Sequence, residues 1–205
     1  MKKRFVLPLI LLALFSCKKH EFLGEYLLGE LAYTNPYNGY ETIIFQGPAD
    51  TQVTFTGKGR SSYTTETYID NYMEKWYAYE TDNCRLDEEH GKFTFRITLQ
   101  SHYNFRYSMS VALINNDSAT FGFYSAYAGY NLPLSKQNLF TGDVYLDSLV
   151  VLNKVYYNVF VSPFNSYWYK NDSVCPAYLY YNKAFGLLKI EYSDNTSWDL
   201  KEIVH

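Results

Sequence analysis

Residues 92–100 (KFTFRITLQ) alternate strictly, with Phe93, Phe95, Ile97 and Leu99 on one side and Lys92, Thr94, Arg96, Thr98 and Gln100 on the other. A period of two with one apolar and one polar face is the pattern of a half-buried antiparallel strand. Residues 105–113 repeat it through Phe105, Tyr107, Met109, Val111 and Leu113, and 101–104 join the two runs into a hairpin. A third strand, 119–124, follows the turn residues Asn115, Asn116 and Asp117. Upstream, 41–46 and 52–56 flank Gly47-Pro48-Ala49-Asp50, and the Thr- and Tyr-rich runs 61–70 and 75–81 predict two further strands. Between them Gly57-Lys58-Gly59-Arg60 reads as a hairpin turn rather than a phosphate loop, because it opens no helix.

Downstream, 144–152 and 155–162 meet at Asn153-Lys154, where Asn can supply the positive φ of a two-residue connection. Residues 178–182 and 187–192 are joined through Lys183-Ala184-Phe185-Gly186, and 193–196 turn the chain into a last strand, 197–203. No segment of ten or more residues has helical periodicity. The expected fold is therefore all-β, an antiparallel meander of about ten strands forming a sandwich or flattened barrel. Two connections, 125–142 and 163–177, are longer than the usual four to six residues. Long loops on a rigid β scaffold commonly carry binding residues.

Composition adds a constraint on the surface. Of 205 residues 20% are aromatic, with 23 Tyr and 14 Phe, whereas only 19% are charged. Globular chains average about 25% charged residues, so Tyr must furnish part of the solvated surface. Such a composition excludes a disordered chain, a coiled coil and a collagen-like repeat.

The N-terminus reads as an address. Lys2, Lys3 and Arg4 precede an apolar run, 5–15, which is too short for a bilayer-spanning helix and fits the core of an export signal. Leu14-Phe15-Ser16-Cys17 resembles the bacterial lipobox, in which a diacylglycerol is attached to the Cys thiol before cleavage in front of it. The alternative is ordinary secretory cleavage that leaves Cys17 a free thiol. Several acyl chains, palmitate among them, hold a protein at a bilayer at about 0.8 kcal/mol per buried CH₂. Lys18 stands where Asp would signal retention in the inner membrane, so the resemblance implies an outer-membrane lipid anchor, facing the periplasm or the cell surface. The expected organisation is a lipoprotein signal peptide over 1–16, an anchored tether over 17–30 and a single β domain over 31–205.

Cleavage after residue 16 removes three of 18 basic residues and none of 21 acidic ones, leaving 15 against 21 and a net charge of −6. With no basic run beyond Lys18-Lys19, nucleic acid is excluded as a main partner. Once Cys17 is acylated, Cys84 and Cys175 remain, and two cysteines in an exported chain commonly pair. Two buried or free thiols are the competing reading. No ligand spacing with His20, His90, His102 or His205 suggests a metal site, and no cofactor motif is present.

Two stretches, 31–45 (LAYTNPYNGYETIIF) and 180–192 (YYNKAFGLLKIEY) continuing to Trp198-Asp199-Leu200, resemble an uncharacterised family of small outer-membrane lipoproteins of Gram-negative bacteria. The resemblance implies a hairpin fold with Gly186 at a turn and Trp198 as a core aromatic. It implies no reaction.

Two clusters remain as candidate chemistry. The densest charged run, 82–91 (DNCRLDEEHG), offers Asp82, Asp87, Glu88 and Glu89 as oxygen ligands or, for a hydrolase of envelope polymers, Glu88 and Glu89 as carboxylates. Its plainer reading is a solvated loop between strands. Loop aromatics are the other cluster: Phe164, Tyr167, Trp168 and Tyr169, and Tyr124, Tyr127 and Tyr130. Sugar rings stack on exposed aromatic faces, and Asn165, Asn171 and Asp172 offer polar groups beside Tyr167, Trp168 and Tyr169. The expectation is a lipid-anchored, non-catalytic binding or structural module whose ligand is a glycan or an envelope protein, with a hydrolase as the alternative.

Overall fold

The computed structural model describes residues 20–69, 74–103, 106–115, 127–132, 135–137, 139, 142–163, 174 and 176–205. The chain is all-β, as the alternation predicts. Its strands are β1 (Glu21–Tyr26), β2 (Thr42–Gln46), β3 (Gln52–Tyr68), β4 (Lys75–Glu88), β5 (Phe93–His102) and β6 (Arg106–Asn115), followed by β7 (Tyr127–Leu132), β8 (Val144–Val151), β9 (Lys154–Pro163), β10 (Pro176–Asn182), β11 (Gly186–Tyr192) and β12 (Ser197–Val204). A 3-10 turn, Gly29–Thr34, lies between β1 and β2.

All twelve belong to one sheet, in the order β7-β6-β5-β4-β3-β2-β12-β11-β10-β9-β8, with β1 added parallel to β4. From β2 to β12 each strand pairs with its chain neighbours, and β12 closes back onto β2 through Leu200 opposite Phe45 and Ile203 opposite Ile43. The exception is β7 and β8, the two ends of this order, which do not pair with each other among the described residues. The sheet curls enough to bring β7 against β9 and β10. It is a curled half-barrel rather than two stacked sheets.

The apolar face of each strand fills the curl. Leu86, Phe95 and Leu113 form one row across β4, β5 and β6, and Cys84, Ile97 and Val111 form the next. All six are buried. Phe45, Phe55 and Phe95 pack with ring centroids 4.5 to 6.2 Å apart, and Trp198 leans on this group with Phe55 at 6.1 Å and Phe93 at 5.3 Å. Burying each such side chain contributes about 1.5–3 kcal/mol.

Residues 28–41 plug one end of the curl. Arg60 on β3 holds the plug: its Nη2 donates to Ala32 O (2.7 Å), its Nη1 to Tyr37 O (2.8 Å) and Asn35 O (3.4 Å), and its Nε to the Asp82 carboxylate at 2.9 Å. Arg60 Nη2 also lies 2.8 Å from Asp82 Oδ2, whose side chain is nearly inaccessible. Tyr37, fully buried, accepts the Leu187 N–H at 2.7 Å, and Tyr181 Oη donates to Thr34 O at 2.7 Å. Glycine is required at 186 because a Cβ there would lie 2.1 Å from Tyr37 Oη. The two stretches singled out in the sequence, 31–45 and 180–192, are thus packed on each other.

Several expected boundaries change. Gly57-Lys58-Gly59-Arg60 is not a hairpin turn but a bulge inside the 17-residue β3, where the register against β4 shifts. Its glycines serve close approach: a Cβ on Gly57 would lie 2.2 Å from Gly39 O, and Gly57 N and Gly59 N donate to Glu41 O and Gly39 O. The acidic run is not a loop, because 82–88 complete β4. Part of the supposed long loop 125–142 is β7, whereas 119–124 lies outside the described residues. Within the expected tether, Glu21–Tyr26 is paired with β4 and is part of the sheet. The β8–β9 turn is Leu152-Asn153, both at positive φ (46° and 65°), one residue before the expected pair.

Removing Asp82 strands a partly buried guanidinium whose remaining bonds hold the plug. Asp82→Ala is expected to cost about 3 kcal/mol, read as a lowered midpoint in urea unfolding followed by circular dichroism; a loss below 0.5 kcal/mol would show that the pair does not hold the plug.

Candidate functional site

Strand alternation sends Asp82, Cys84, Leu86 and Glu88 inward and turns Asn83, Arg85 and Asp87 to the outer face of β4, whereas Thr81, on their side of the strand, is buried. Register then stacks polar rows across the sheet: Asp87 beside Thr94, Arg85 beside Arg96 and Ala112, Asn83 beside Thr98 and Ser110, and Thr81 beside Gln100 and Ser108. These side chains are tied to one another. Thr98 Oγ1 donates to Asn83 Oδ1 (2.7 Å), Asn83 Nδ2 to Tyr63 Oη (3.3 Å), and Gln100 Nε2 to Thr81 Oγ1 (3.2 Å).

A shallow groove of about 560 Å³ runs over this face, lined by Tyr40, Lys58, Tyr63, Asn83, Arg85 and Arg96. Tyr40 and Tyr63 are 76% and 51% exposed. Tyr40 owes its position to the plug, since the buried Glu41 carboxylate beside it accepts the N–H groups of Asn38 and Gly39 at 2.6 and 2.9 Å. Lys58 owes its position to the bulge in β3. The groove is therefore built on β3, β4 and β5 and rimmed by the plug.

Charge in the groove is dominated by its cations. Arg85 Nε donates to Asp87 Oδ1 at 2.7 Å, and Thr94 Oγ1 donates to the same oxygen at 2.9 Å. Partial burial pushes the Asp87 carboxyl up, but the hydrogen bonds of Arg85 and Thr94 and the charges of Arg85 and Lys58 outweigh it and hold the group below its usual range. The Arg96 side chain has no ion pair or hydrogen bond among the described residues.

A second cleft, of about 210 Å³, lies between Tyr37, Tyr156, Phe185 and the C-terminal strand. Lys154 Nζ sits 5.1 Å from the Tyr156 ring centre and 4.9 Å from that of Phe185, so its cation is already occupied by aromatic faces. It is smaller, and its floor is the structural Tyr37.

The acidic run does not form a centre. Asp82 is bound by Arg60, Glu88 accepts Lys92 N–H at 2.9 Å across the β4–β5 turn, and Asp87 faces the other way. Among the described residues no three His, Cys, Asp or Glu side chains converge as metal ligands. Cys84 corrects the expected disulfide: it is a free thiol at 0% exposure, enclosed by the core beside Ile97. Burial first, then the nearby Glu41 carboxylate, pushes its pKa up to about 12. Cys17, Cys175, Tyr167, Trp168 and Tyr169 lie outside the described residues. No family model, no curated protein and no solved structure matches the chain.

Sequence reasoning did not reach Tyr40, Tyr63, Lys58, Arg85 and Arg96 as a group. A signal existed, because Arg96 stands on the polar face of 92–100; its meeting with Arg85 follows only once 82–88 is recognised as strand.

Two outcomes follow. Because thiolate is the reactive form, Cys84 is expected to resist iodoacetamide at pH 8 in the native protein and to react fully in guanidinium, as counted by intact mass. Asp87 has a lowered pKa when folded, so its contribution is complete above the unfolded carboxyl pKa of about 3.9 and disappears as pH falls through the folded value. The pair is partly exposed, so Asp87→Asn should cost about 0.5 kcal/mol at pH 7. The gap to the parent, measured by urea titration, should narrow as pH falls below about 3.9 and close once Asp87 is protonated in the folded state.

Proposed function

We propose that this protein is a lipid-anchored lipoprotein of the cell envelope, held in the outer membrane through acylated Cys17, and that its curled sheet is a non-catalytic module binding a glycan on its outer face. The observation that carries the binding reading is the groove on β3–β5. Two exposed Tyr rings, Tyr40 and Tyr63, flank a floor of Asn83 and Arg side chains. Sugar recognition uses that combination: an apolar ring face takes the C–H side of the pyranose, and fixed polar groups take its hydroxyls. Asn83 is fixed because Thr98 and Tyr63 both hold its amide.

The anchor reading is supported by residues 1–17, where a basic start and an apolar run end at Cys17. With Glu21 already paired in the sheet, only residues 18–20 lie between it and the proposed acyl chains, and they can span at most about 3.6 Å each. The domain then sits close against the bilayer, which suits capture of a polymer lying on the membrane.

The expected result is palmitate incorporation in growing cells that is abolished by Cys17→Ala, together with glycan retention by the acylated protein in detergent on a glycan array. Tyr63→Ala and Tyr40→Ala should each weaken binding by up to about tenfold, since one aromatic contact is worth about 0.5–1.5 kcal/mol. Full binding in both variants together with loss in Trp168→Ala would move the site to 163–177, and no glycan retained at all would reject the binding reading.

A further inference from the structure

Arg85 and Arg96 stand directly opposite each other on β4 and β5. Side chains so placed have Cβ atoms about 4.5–5.5 Å apart, and two like charges there destabilise the sheet. The neighbours do little to relieve this. Along β5 the same face carries Thr94 and Thr98, across β6 stands Ala112, and the one adjacent carboxylate, Asp87, is bound by Arg85 Nε and Thr94. Lys58, on the bulge, lines the same groove; Arg60, which also lines it, is matched by Asp82, so Lys58, Arg85 and Arg96 are left to share the one carboxylate of Asp87. All this sits in a chain whose overall net charge is −3, so the cluster is local and not a sample of a basic surface.

From this we infer that the groove takes an acidic glycan, with a carboxylate or sulfate of the sugar seated between Arg85 and Arg96. The inference rests on the glycan reading above and adds the class of sugar. A planar carboxylate matches the fork of a guanidinium with two parallel N–H donors. Arg85 keeps its two terminal nitrogens for this, since only its Nε is engaged. Arg96 offers its full set. The anion supplies the negative charge that the sheet omits, and Tyr40 and Tyr63 receive the ring that bears it. Nucleic acid is a poor occupant, because three cations on a negative protein neutralise too few phosphates.

The test pairs each acidic polymer with its uncharged counterpart on the acylated protein in detergent, by isothermal titration: polygalacturonate against its full methyl ester, and dextran sulfate against dextran. Binding to polygalacturonate or dextran sulfate at least tenfold tighter than to the neutral partner, and weakening as salt is raised, is expected. Which acidic polymer binds tells carboxylate from sulfate. Arg96→Thr should remove that preference while raising the melting temperature, since it relieves a like-charge pair and leaves a good strand former. A merely structural Arg96 would instead lower the melting temperature on substitution. Equal binding of charged and neutral polymers overturns the acidic assignment and leaves the glycan reading standing. Binding to none of the four overturns both. An unchanged preference in Arg96→Thr overturns the seat between the two arginines.

Discussion

One guanidinium settles how the two ends of this chain meet. Arg60 commits all five of its N–H donors: to both carboxylate oxygens of Asp82 and to the carbonyls of Ala32, Asn35 and Tyr37. Those three carbonyls belong to an irregular segment inside the curl, where unpaired backbone groups are costly, and a single side chain satisfies them. With that segment fixed, Tyr37 reaches β11 and Tyr181 reaches Thr34, so the first and last thirds of the chain are joined independently of the β12–β2 ladder. Asp82, itself nearly inaccessible, neutralises a guanidinium that is only partly exposed. The plug also sets Tyr40 beside the β3 bulge, so the rim of the groove depends on the same contact.

Alternation made the sheet legible and the plug illegible. Strands such as β5 and β6 follow from Phe95, Ile97 and Leu99 facing Leu113, Val111 and Met109, because each strand has one apolar face. The stretch 82–88 defeated that reading. Its inward positions are Asp82, Cys84, Leu86 and Glu88, and two carboxylates on the core face look like a loop until their partners, Arg60 and the Lys92 N–H, are known. Gly57 and Gly59 misled for a related reason. Glycine marks either a turn or a close approach of backbones, and only the distant Gly39 decides between them.

The candidate site was less legible than the fold because it is a product of register. Arg85 and Arg96 lie eleven positions apart along the chain, and nothing local says that they oppose each other; the length of the β4–β5 turn fixes it. Tyr40 and Lys58 join them through the plug and the bulge, both long-range features. Aromatic richness pointed toward residues 167–169, but in a chain with 23 Tyr a local excess of rings separates core from surface poorly. Unbalanced charge is the sharper signal, because a sheet tolerates paired like charges only at a cost.

β4 shows how one strand serves both ends of this arrangement. Its inward side chains, Asp82, Cys84 and Leu86, anchor the plug and fill the core, and its outward side chains, Asn83 and Arg85, line the groove, which Cys84 also borders. Period-two alternation keeps the two sets on opposite faces, so an outward substitution need not disturb the core packing beneath it. The converse does not hold: loosening Arg60 or Asp82 frees the plug, moves Tyr40 and alters the groove from behind. The groove therefore shares a strand with the Arg60–Asp82 contact, and the β4–β5 ladder, fixed by backbone pairing and by the core beneath it, holds Arg85 and Arg96 side by side at the cost of their repulsion.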